Sequence, residues 1–215
     1  MTTKFSPTDR TRIHRSPARG TYDRDVIHAI LDEALVCHLA FVVGDQPYAL
    51  PTTFARIDDR LFVHGAAASR MLKTLAGGVR VCFTVTLLDG IVLARSAFNH
   101  SMNYRSVVVL GTAEEVTDAE HKRRALDAMV NRAAESRSRS ARPPNDKELA
   151  ATRVFVLPIE EVSAKVRTGG PIDEEEDLAL PVWAGHVPLR LRADAPVPAE
   201  GLAPDLATPD LARRR

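Results

Sequence analysis

Three stretches of the chain carry apolar residues at helical spacing. The first follows Asp23, a residue type that caps helix N-termini, and places Ile27 and Ile30 on one face. The second is short and ends in two glycines, which terminate helices readily. The third repeats the helical spacing from Ala125 to Val130. The predicted helices therefore lie within residues 23–36, 67–78 and 118–135.

Most of residues 38–167 shows a second pattern, rich in β-branched and aromatic residues with alternating polarity. The turn sequences GDQP and DD divide the stretch 38–65 into three runs. A proline at position 158 is expected to bend or bulge the last strand. Six to seven strands are predicted, three of them in 38–65 and one each in 79–90, 91–100, 102–116 and 152–167.

The short turns between neighbouring strands determine the fold class. A parallel pair needs a crossover of a dozen or more residues, so these strands must pair mainly in antiparallel fashion. We predict an α+β, mainly β fold, with six to seven antiparallel strands closed into a barrel and flanked by helices. The folded domain is expected at 21–188. An N-terminal arm, 1–20, precedes it, and a tail rich in proline and alanine, 189–215, follows and is expected to be extended or disordered.

Composition and charge exclude several classes of protein. The 215 residues include 29 Lys and Arg against 28 Asp and Glu, a net charge of +1, which gives no general attraction to nucleic acids or anionic membranes. The apolar runs are shorter than the roughly 20 residues that span a bilayer, and the N-terminus lacks the apolar core of a signal peptide. Cys37 and Cys82 form no CxxC pair. We expect a cytoplasmic protein without a disulfide framework, a zinc module, a nucleic-acid partner or a membrane partner.

Common catalytic motifs are absent from the sequence. It contains no GxGxxG, no GxxxxGK[ST], no HExxH and no GxSxG. Three of the seven histidines, His38, His64 and His100, fall in the strand-rich part, but their spacing does not predict a metal site. A histidine in such a sheet is more often hydrogen-bonded to the backbone or close to a ligand.

The stretch from His64 to Lys73 is the first candidate binding site. A strand ends here, small residues follow, and a helix begins near Ser69 and Arg70. Backbone N–H groups at a helix start, a serine hydroxyl and a guanidinium suit a phosphate group. The alternative is a polar helix cap with an arginine that faces solvent.

Two further clusters of polar residues lie at strand ends. Asn103, Tyr104, Arg105 and Ser106 precede three consecutive valines, and they offer a planar ring and a second cation for an anionic ligand. The alternative is a tyrosine and an arginine at the rim of a sheet. The segment 50–54 has a proline within a strand, which leaves backbone groups free for a flat heterocycle.

The order of these clusters resembles the split β-barrel superfamily that binds flavin mononucleotide (FMN). This superfamily includes pyridoxamine 5′-phosphate oxidase, and the chain is most similar to the branch of nitroimidazole reductase-like flavoproteins. The resemblance rests on five blocks, which are RGTYDRD, the stretch from HLAFVV to SRML, the stretch from VCFTV to VVVLGTA, ATRVFVLPIEEVSAKVR and PVWAGHVPL. It implies a split β-barrel and a homodimer with FMN at the subunit interface.

The resemblance also implies roles for individual residues. Pro51, Thr52 and Thr53 match the strand that lines the isoalloxazine ring, and Val63 and His64 match the strand end beside it. Ser69 and Arg70 match the pair that holds the phosphate. Met71 stands where the related oxidases have a lysine, so either Lys73 compensates or the phosphate has one cation fewer. The last group consists of Tyr104, Arg105 and Ser106, which match a strand that approaches the flavin from the partner, and Trp183, which lies in a block that closes over the cofactor.

The implied function is electron transfer through the flavin. We expect an FMN-dependent oxidoreductase that takes electrons from NAD(P)H and passes them to a small electrophile such as a nitro-compound or a quinone, with no side chain required as a general base. The alternative is a carrier or sensor without turnover that binds flavin, haem or deazaflavin, with His64 or His100 as the haem ligand. Oxidation of pyridoxamine phosphate is not expected, because a Pro/Ala-rich tail replaces the segment that grips that substrate.

Overall fold

A computed structural model describes residues 3–203 and 205–208. Within these residues ten antiparallel strands form one sheet, in the order β1-β9-β6-β5-β2-β3-β4-β8-β7, and β10 pairs with β5. The strands are β1 (Gly20–Thr21), β2 (Val36–Val43), β3 (Gln46–Ile57), β4 (Arg60–Ala66), β5 (Arg80–Leu93), β6 (Ser101–Thr112), β7 (Glu114–Glu115), β8 (Thr152–Pro158), β9 (Glu161–Arg167) and β10 (Gly185–Pro188).

Five helices flank this sheet. The three that the sequence predicts are present, with Asp23, Ser69 and Asp118 as N-caps. Two further short helices lie within residues 136–151, a stretch for which the sequence predicts neither helix nor strand. The helices are α1 (Arg24–Glu33), α2 (Arg70–Leu75), α3 (Ala119–Ala133), α4 (Arg137–Ser140) and α5 (Asp146–Ala151).

The predicted antiparallel split barrel is confirmed, but the prediction that its sheet closes is wrong. Seven strands are at least seven residues long, in agreement with the expected number, and β1, β7 and β10 are short additions. The hydrogen-bonded path ends at β1 and β7, so the sheet is not closed. The stretch 152–167 was expected to be one bent strand. It instead forms β8 and β9, which pair with β4 and β6 respectively.

The sheet divides into two halves at β3 and at the connection between β8 and β9. Residues 46–53 of β3 pair with β2, whereas residues 54–57 pair with β4. After Pro158 only two residues separate β8 from β9, and the Ile159 N–H donates to the carbonyl of Asp59 at 2.8 Å. Because two strands on different halves of the sheet are joined so closely, the sheet must curl into a barrel-like shape.

The hydrophobic core lies between the inner face of the curled sheet and α1. Ile27 and Ile30 of α1 are fully buried there, as the helical spacing predicts. Phe54 and Phe83 meet edge to face with ring centroids 4.9 Å apart. Each buried side chain of this size contributes about 1.5–3 kcal/mol through removal of apolar surface from water.

The N-terminal residues dock onto their own chain. Phe5 is buried under the guanidinium of Arg24, which lies 4.0 Å from the ring centroid. The hydroxyl of Thr8 and the guanidinium of Arg10 both bind Glu161 at the start of β9. At the other end, residues 189–203 and 205–208 contain no helix or strand, and the remainder of the predicted tail lies outside the described residues. No helix in the described part is both long and apolar enough to cross a membrane.

Candidate functional site

A cavity of about 600 Å³ lies between the β3–β4 hairpin and the helices α3, α4 and α5. Its wall is mainly apolar and includes Phe54 from β3, Met129 and Val130 from α3, and the Pro143-Pro144 pair that follows α4. The volume is within the range of pockets that hold cofactors. The helical spacing of α3 predicts its apolar face but not the cavity that this face borders. Val130 belongs to that apolar face and yet is exposed, which indicates that the face is not fully packed against the sheet.

His64 is the polar residue with the most distinctive environment in this cavity wall. It pairs with Val154 across β4 and β8 and lies among the lining residues with Thr53. Its Nδ1 atom is buried and has no hydrogen-bond partner among the described residues. Burial lowers the pKa of His64, because the charged imidazolium loses hydration. The neutral ring is the form that ligates metals.

Val63 has a different position from its neighbour. Successive side chains of a strand point to opposite faces, so His64 and Val63 cannot share the same surroundings. Val63 is buried in the main core, whereas His64 lines the cavity. Among the residues predicted to lie beside the flavin, the structure therefore brings His64 and Thr53 together at this cavity.

The predicted phosphate-binding residues lie around α2. The Ser69 hydroxyl accepts a hydrogen bond from the N–H of Leu72 at 3.2 Å, so its own hydrogen remains able to donate. Arg70 is exposed, with its guanidinium 5.3 Å from the ring centroid of Tyr48. Lys73 is also exposed, and neither cation has a carboxylate partner within the described residues.

Met71 occupies the position at which the resemblance implies a lysine. Its side chain is buried in the core. A cation at this position would be withdrawn from solvent, whereas Lys73, two residues later, is accessible. The helix has only six residues and therefore a small dipole. Its side chains are expected to contribute more to phosphate binding than the dipole does.

Pro51 and Thr53 of β3 lie on the outer face of the sheet. The register aligns Pro51 with His38 of β2, then with Thr84 of β5 and Val108 of β6. Thr52 belongs to the inner face, where it pairs with Cys37. The Sγ–H of this buried thiol donates to the Thr52 carbonyl at 3.4 Å, and burial raises its pKa to about 12.

Tyr104 and Ser106 of β6 lie on this same outer face, opposite Leu88 and Thr86 of β5. Three strand spacings separate β6 from β3, a distance of about 14 Å. Within one protomer, these two residues therefore do not meet Pro51.

Arg105 points the other way and is engaged in ion pairs. Its Nε and Nη2 atoms donate to Asp89 at 2.8 and 2.7 Å, and its Nη1 and Nη2 atoms donate to Glu33 at 2.5 and 2.8 Å. The hydrogen bonds to Asp89, followed by those to Glu33, raise the pKa of this guanidinium. In this protomer Arg105 ties α1 to β5, and its predicted contact with a flavin stays a prediction.

Trp183 lies just before β10, the strand that pairs with β5. The indole is 65% exposed, and it covers Gly185 so closely that a Cβ there would lie 2.9 Å from its ring. Its predicted position over a cofactor stays a prediction. No group of three or more His, Cys, Asp or Glu residues that could hold a metal ion occurs in the described part of the chain.

The antiparallel sheet, its division at β3 and the strand exchange at Pro158 define the split β-barrel class of proteins. Within this class the chain belongs to the pyridoxamine 5′-phosphate oxidase family, whose family model matches residues 23–166. No curated protein matches the sequence.

Similar solved structures cover almost the whole chain. The flavocytochrome Anf3 from Azotobacter vinelandii is 40% identical, with 98% of this chain and 99% of that chain covered and a TM-score of 0.91. The FAD and heme binding protein from Mycobacterium smegmatis is 37% identical, with 91% and 96% covered and a TM-score of 0.86. A provisionally named 5-nitroimidazole antibiotic resistance protein from Bacteroides thetaiotaomicron is 23% identical, with 68% and 86% covered and a TM-score of 0.59, and it shares the fold.

Proposed function

We propose that this chain is a redox protein that binds both a flavin and a haem. The observation that carries the proposal is the 40% identity, over nearly all of both chains, to a protein named as a flavocytochrome. The name of the second relative, an FAD and heme binding protein, supports the same pair of cofactors. Two separate features of this chain fit the two groups.

The first feature is the set of donors around α2. The Ser69 hydroxyl, the Arg70 guanidinium and the Lys73 ammonium group fit the phosphate end of a flavin nucleotide. The outer face near Pro51 and Thr53 offers a flat surface to the ring. FMN was expected from the sequence, and FAD is added by the name of the second relative. A bound flavin would accept a hydride from a reduced nicotinamide at its N5 atom.

A homodimer would complete this flavin site. Tyr104 and Ser106 lie three strand spacings, about 14 Å, to the side of Pro51 and are further displaced along β6, so within one protomer they are too far away to contact the same ring. On the outer face of β2, Val42 is 49% exposed, so apolar surface is available for a second copy. We propose that the partner's β6 approaches the flavin of the first protomer across this face.

The second feature is the cavity at His64. Its apolar wall, its volume and its neutral imidazole with an unpartnered nitrogen fit a haem with a histidine ligand. His100 fits less well, because it is exposed and its Nδ1 lies 2.9 Å from the carbonyl of Ser96. A bound haem would supply one-electron chemistry. We propose His64 as the ligand.

The proposed reaction is the transfer of electrons from NAD(P)H, through the flavin, to a small electrophile such as a nitro-compound or a quinone. The chain holds and orients the cofactors, and no side chain need act as a general base. We place this activity in the cytoplasm, and the free thiols of Cys37 and Cys82 support a reducing compartment.

Absorbance of the purified full chain tests the cofactors. We expect a flavin spectrum and a Soret band, and the mass of the released flavin distinguishes FMN from FAD. His64→Leu should lose the Soret band and keep the flavin, whereas the control His100→Leu should keep both. A colourless protein that takes up neither added flavin nor added hemin would contradict the proposal.

Turnover distinguishes an enzyme from a carrier or sensor. The loaded protein should consume NAD(P)H with an added nitro-compound or quinone faster than the same concentration of free flavin does. A rate equal to that of free flavin would favour the alternative without turnover.

A further inference from the structure

Arg167, at the end of β9, is buried without a carboxylate partner. Its side chain is among the three buried polar ones, with the residue only 5% exposed, and its Nε atom has no hydrogen-bond partner among residues 3–203 and 205–208. The guanidinium donates only to neutral acceptors, namely Asn103 Oδ1 at 2.5 Å and the carbonyls of Gly169 and Gly170 at 3.4 and 3.1 Å. A buried charge in this state carries a large desolvation cost.

Six other shielded arginines do not share this situation. Each has a carboxylate within 4.0 Å, and their side chains are 15–28% exposed. They are Arg24, Arg56, Arg95, Arg105, Arg132 and Arg153. Within the described residues these six arginines are thus paired with carboxylates, whereas Arg167, which is more deeply buried, has no anion.

Two further cations adjoin Arg167. Arg19 precedes Gly20, the residue of β1 that pairs with β9 two positions before Arg167. Burial, and after it the charge of Arg19, lowers the pKa of Arg167. Lys165 lies two residues earlier on β9, on the same face as Arg167, and pairs with Gly20, the residue after Arg19. Neither Arg19 nor Lys165 has an ion pair in the described part of the chain. Three neighbouring positive charges therefore lack a negative one.

The loop after Arg167 has room and donors for an anion. Gly169 has a positive φ of 93°, and nothing lies within 4 Å of the Cβ position of either Gly169 or Gly170. The N–H groups of these two glycines make no hydrogen bond within the described residues. Successive free N–H groups at a glycine with positive φ form concave sites for anions.

We propose that Arg19, Lys165, Arg167 and the Gly169-Gly170 loop form a binding site for the phosphate group of a nucleotide. The buried guanidinium holds the loop through the two glycine carbonyls and supplies positive charge beneath it. The loop N–H groups and the Lys165 ammonium group contact the phosphate. This site is separate from the one around Ser69.

Its location connects it to redox chemistry. Arg167 pairs with Tyr104, and Lys165 pairs with Ser106, the two residues expected to approach the flavin of the partner. In this respect the inference rests on the proposed function. Two phosphate groups suit that position. One is the phosphate on the adenosine of FAD, and the other is the 2′-phosphate of NADPH.

Two measurements distinguish these sources. In the first, 2′,5′-ADP is titrated by calorimetry into the full-length protein with its flavin bound. In the second, the affinities for FAD and FMN are measured on the full chain after flavin removal. The variants are Lys165→Gln, Arg19→Gln and Arg167→Gln, and the matched control is Lys147→Gln, an exposed lysine on α5.

If the site takes NADPH, the three variants should weaken 2′,5′-ADP binding at least fivefold and leave both flavin affinities unchanged. If it takes FAD, they should weaken FAD binding at least fivefold and leave FMN binding unchanged. Changes below fivefold for Lys165→Gln and Arg19→Gln in both measurements, or equal changes in the control, overturn the site. These two surface variants suffice if Arg167→Gln does not fold. Should the chain bind no flavin, its absorbance reveals this, and titration of 2′,5′-ADP into the cofactor-free chain still tests the phosphate site.

Discussion

Replacement of Arg105 by methionine tests whether this residue serves the fold or a ligand. Methionine keeps much of the apolar stem but removes the charge and the four hydrogen bonds to Asp89 and Glu33. The side chains of Arg105 and Asp89 are both 28% exposed, whereas that of Glu33 is 54% exposed. We assign about 1.5 kcal/mol to the two-point pair with Asp89 and about 0.5 kcal/mol to the more exposed pair with Glu33.

Arg105→Met should therefore lower the free energy of unfolding by about 2 kcal/mol, a fall in Tm of about 4–8 °C for a chain of this size. Urea unfolding measures the first quantity, and flavin titration of the same variant measures the affinity. A double-mutant cycle with Asp89→Asn should give a coupling of about 1 kcal/mol. Unchanged stability together with lost flavin binding would refute the structural role and restore Arg105 as a cofactor ligand.

Three further predictions follow from local geometry. Ser69→Ala should cost about 1 kcal/mol of stability through loss of the helix cap, whereas Ser69→Asp should keep the cap but repel the phosphate, so that flavin retention falls without a fall in Tm. Burial alone would raise the pKa of Asp59, but the hydrogen bond and charge of Arg24 outweigh it and lower that pKa below its ordinary 3.8. The stability that Asp59 contributes is thus present above pH 3.8 and lost as pH falls through the lower folded pKa, so the deficit of Asp59→Asn in urea unfolding should shrink below pH 3.8. Gly90→Ala would place a Cβ 2.9 Å from a backbone carbonyl of β10, so it should cost about 1–3 kcal/mol and change the fluorescence of Trp183, the only tryptophan.

Local patterns predicted the elements well because local physics determines them. Asp23 accepts a hydrogen bond from the N–H of Val26, and Ile27 and Ile30 are buried on one face of α1, as the cap and the spacing require. Ser69 likewise caps α2. These features depend on residues within one or two helical turns, which a sequence displays directly.

Two turn signals were misread because tertiary contacts overrode them. The Asp89-Gly90 pair was expected to separate two strands, yet β5 continues through it to Leu93 with an irregularity in register between Leu88 and Gly90. The buried glycine lets the backbone of β10 approach closely, a partner that comes from nearly a hundred residues later. At Pro158 the error was the opposite one, because a single bent strand was expected and two strands are present. The chain leaves β8 in one half of the sheet and enters β9 in the other.

The sequence suggests individual residues for the candidate site but not how the fold arranges them. Alternation along a strand tells which residues share a face, and in the structure Tyr104 lies on one face with Ser106, and Pro51 with Thr53. It does not tell how many strands separate two such groups, and here β2 and β5 lie between them. The same limit concealed the cavity at His64, since its wall combines a strand with a helix some sixty residues away. The proposed dimer is compatible with this strand order, because one protomer presents both groups of residues on one face and yet keeps them apart.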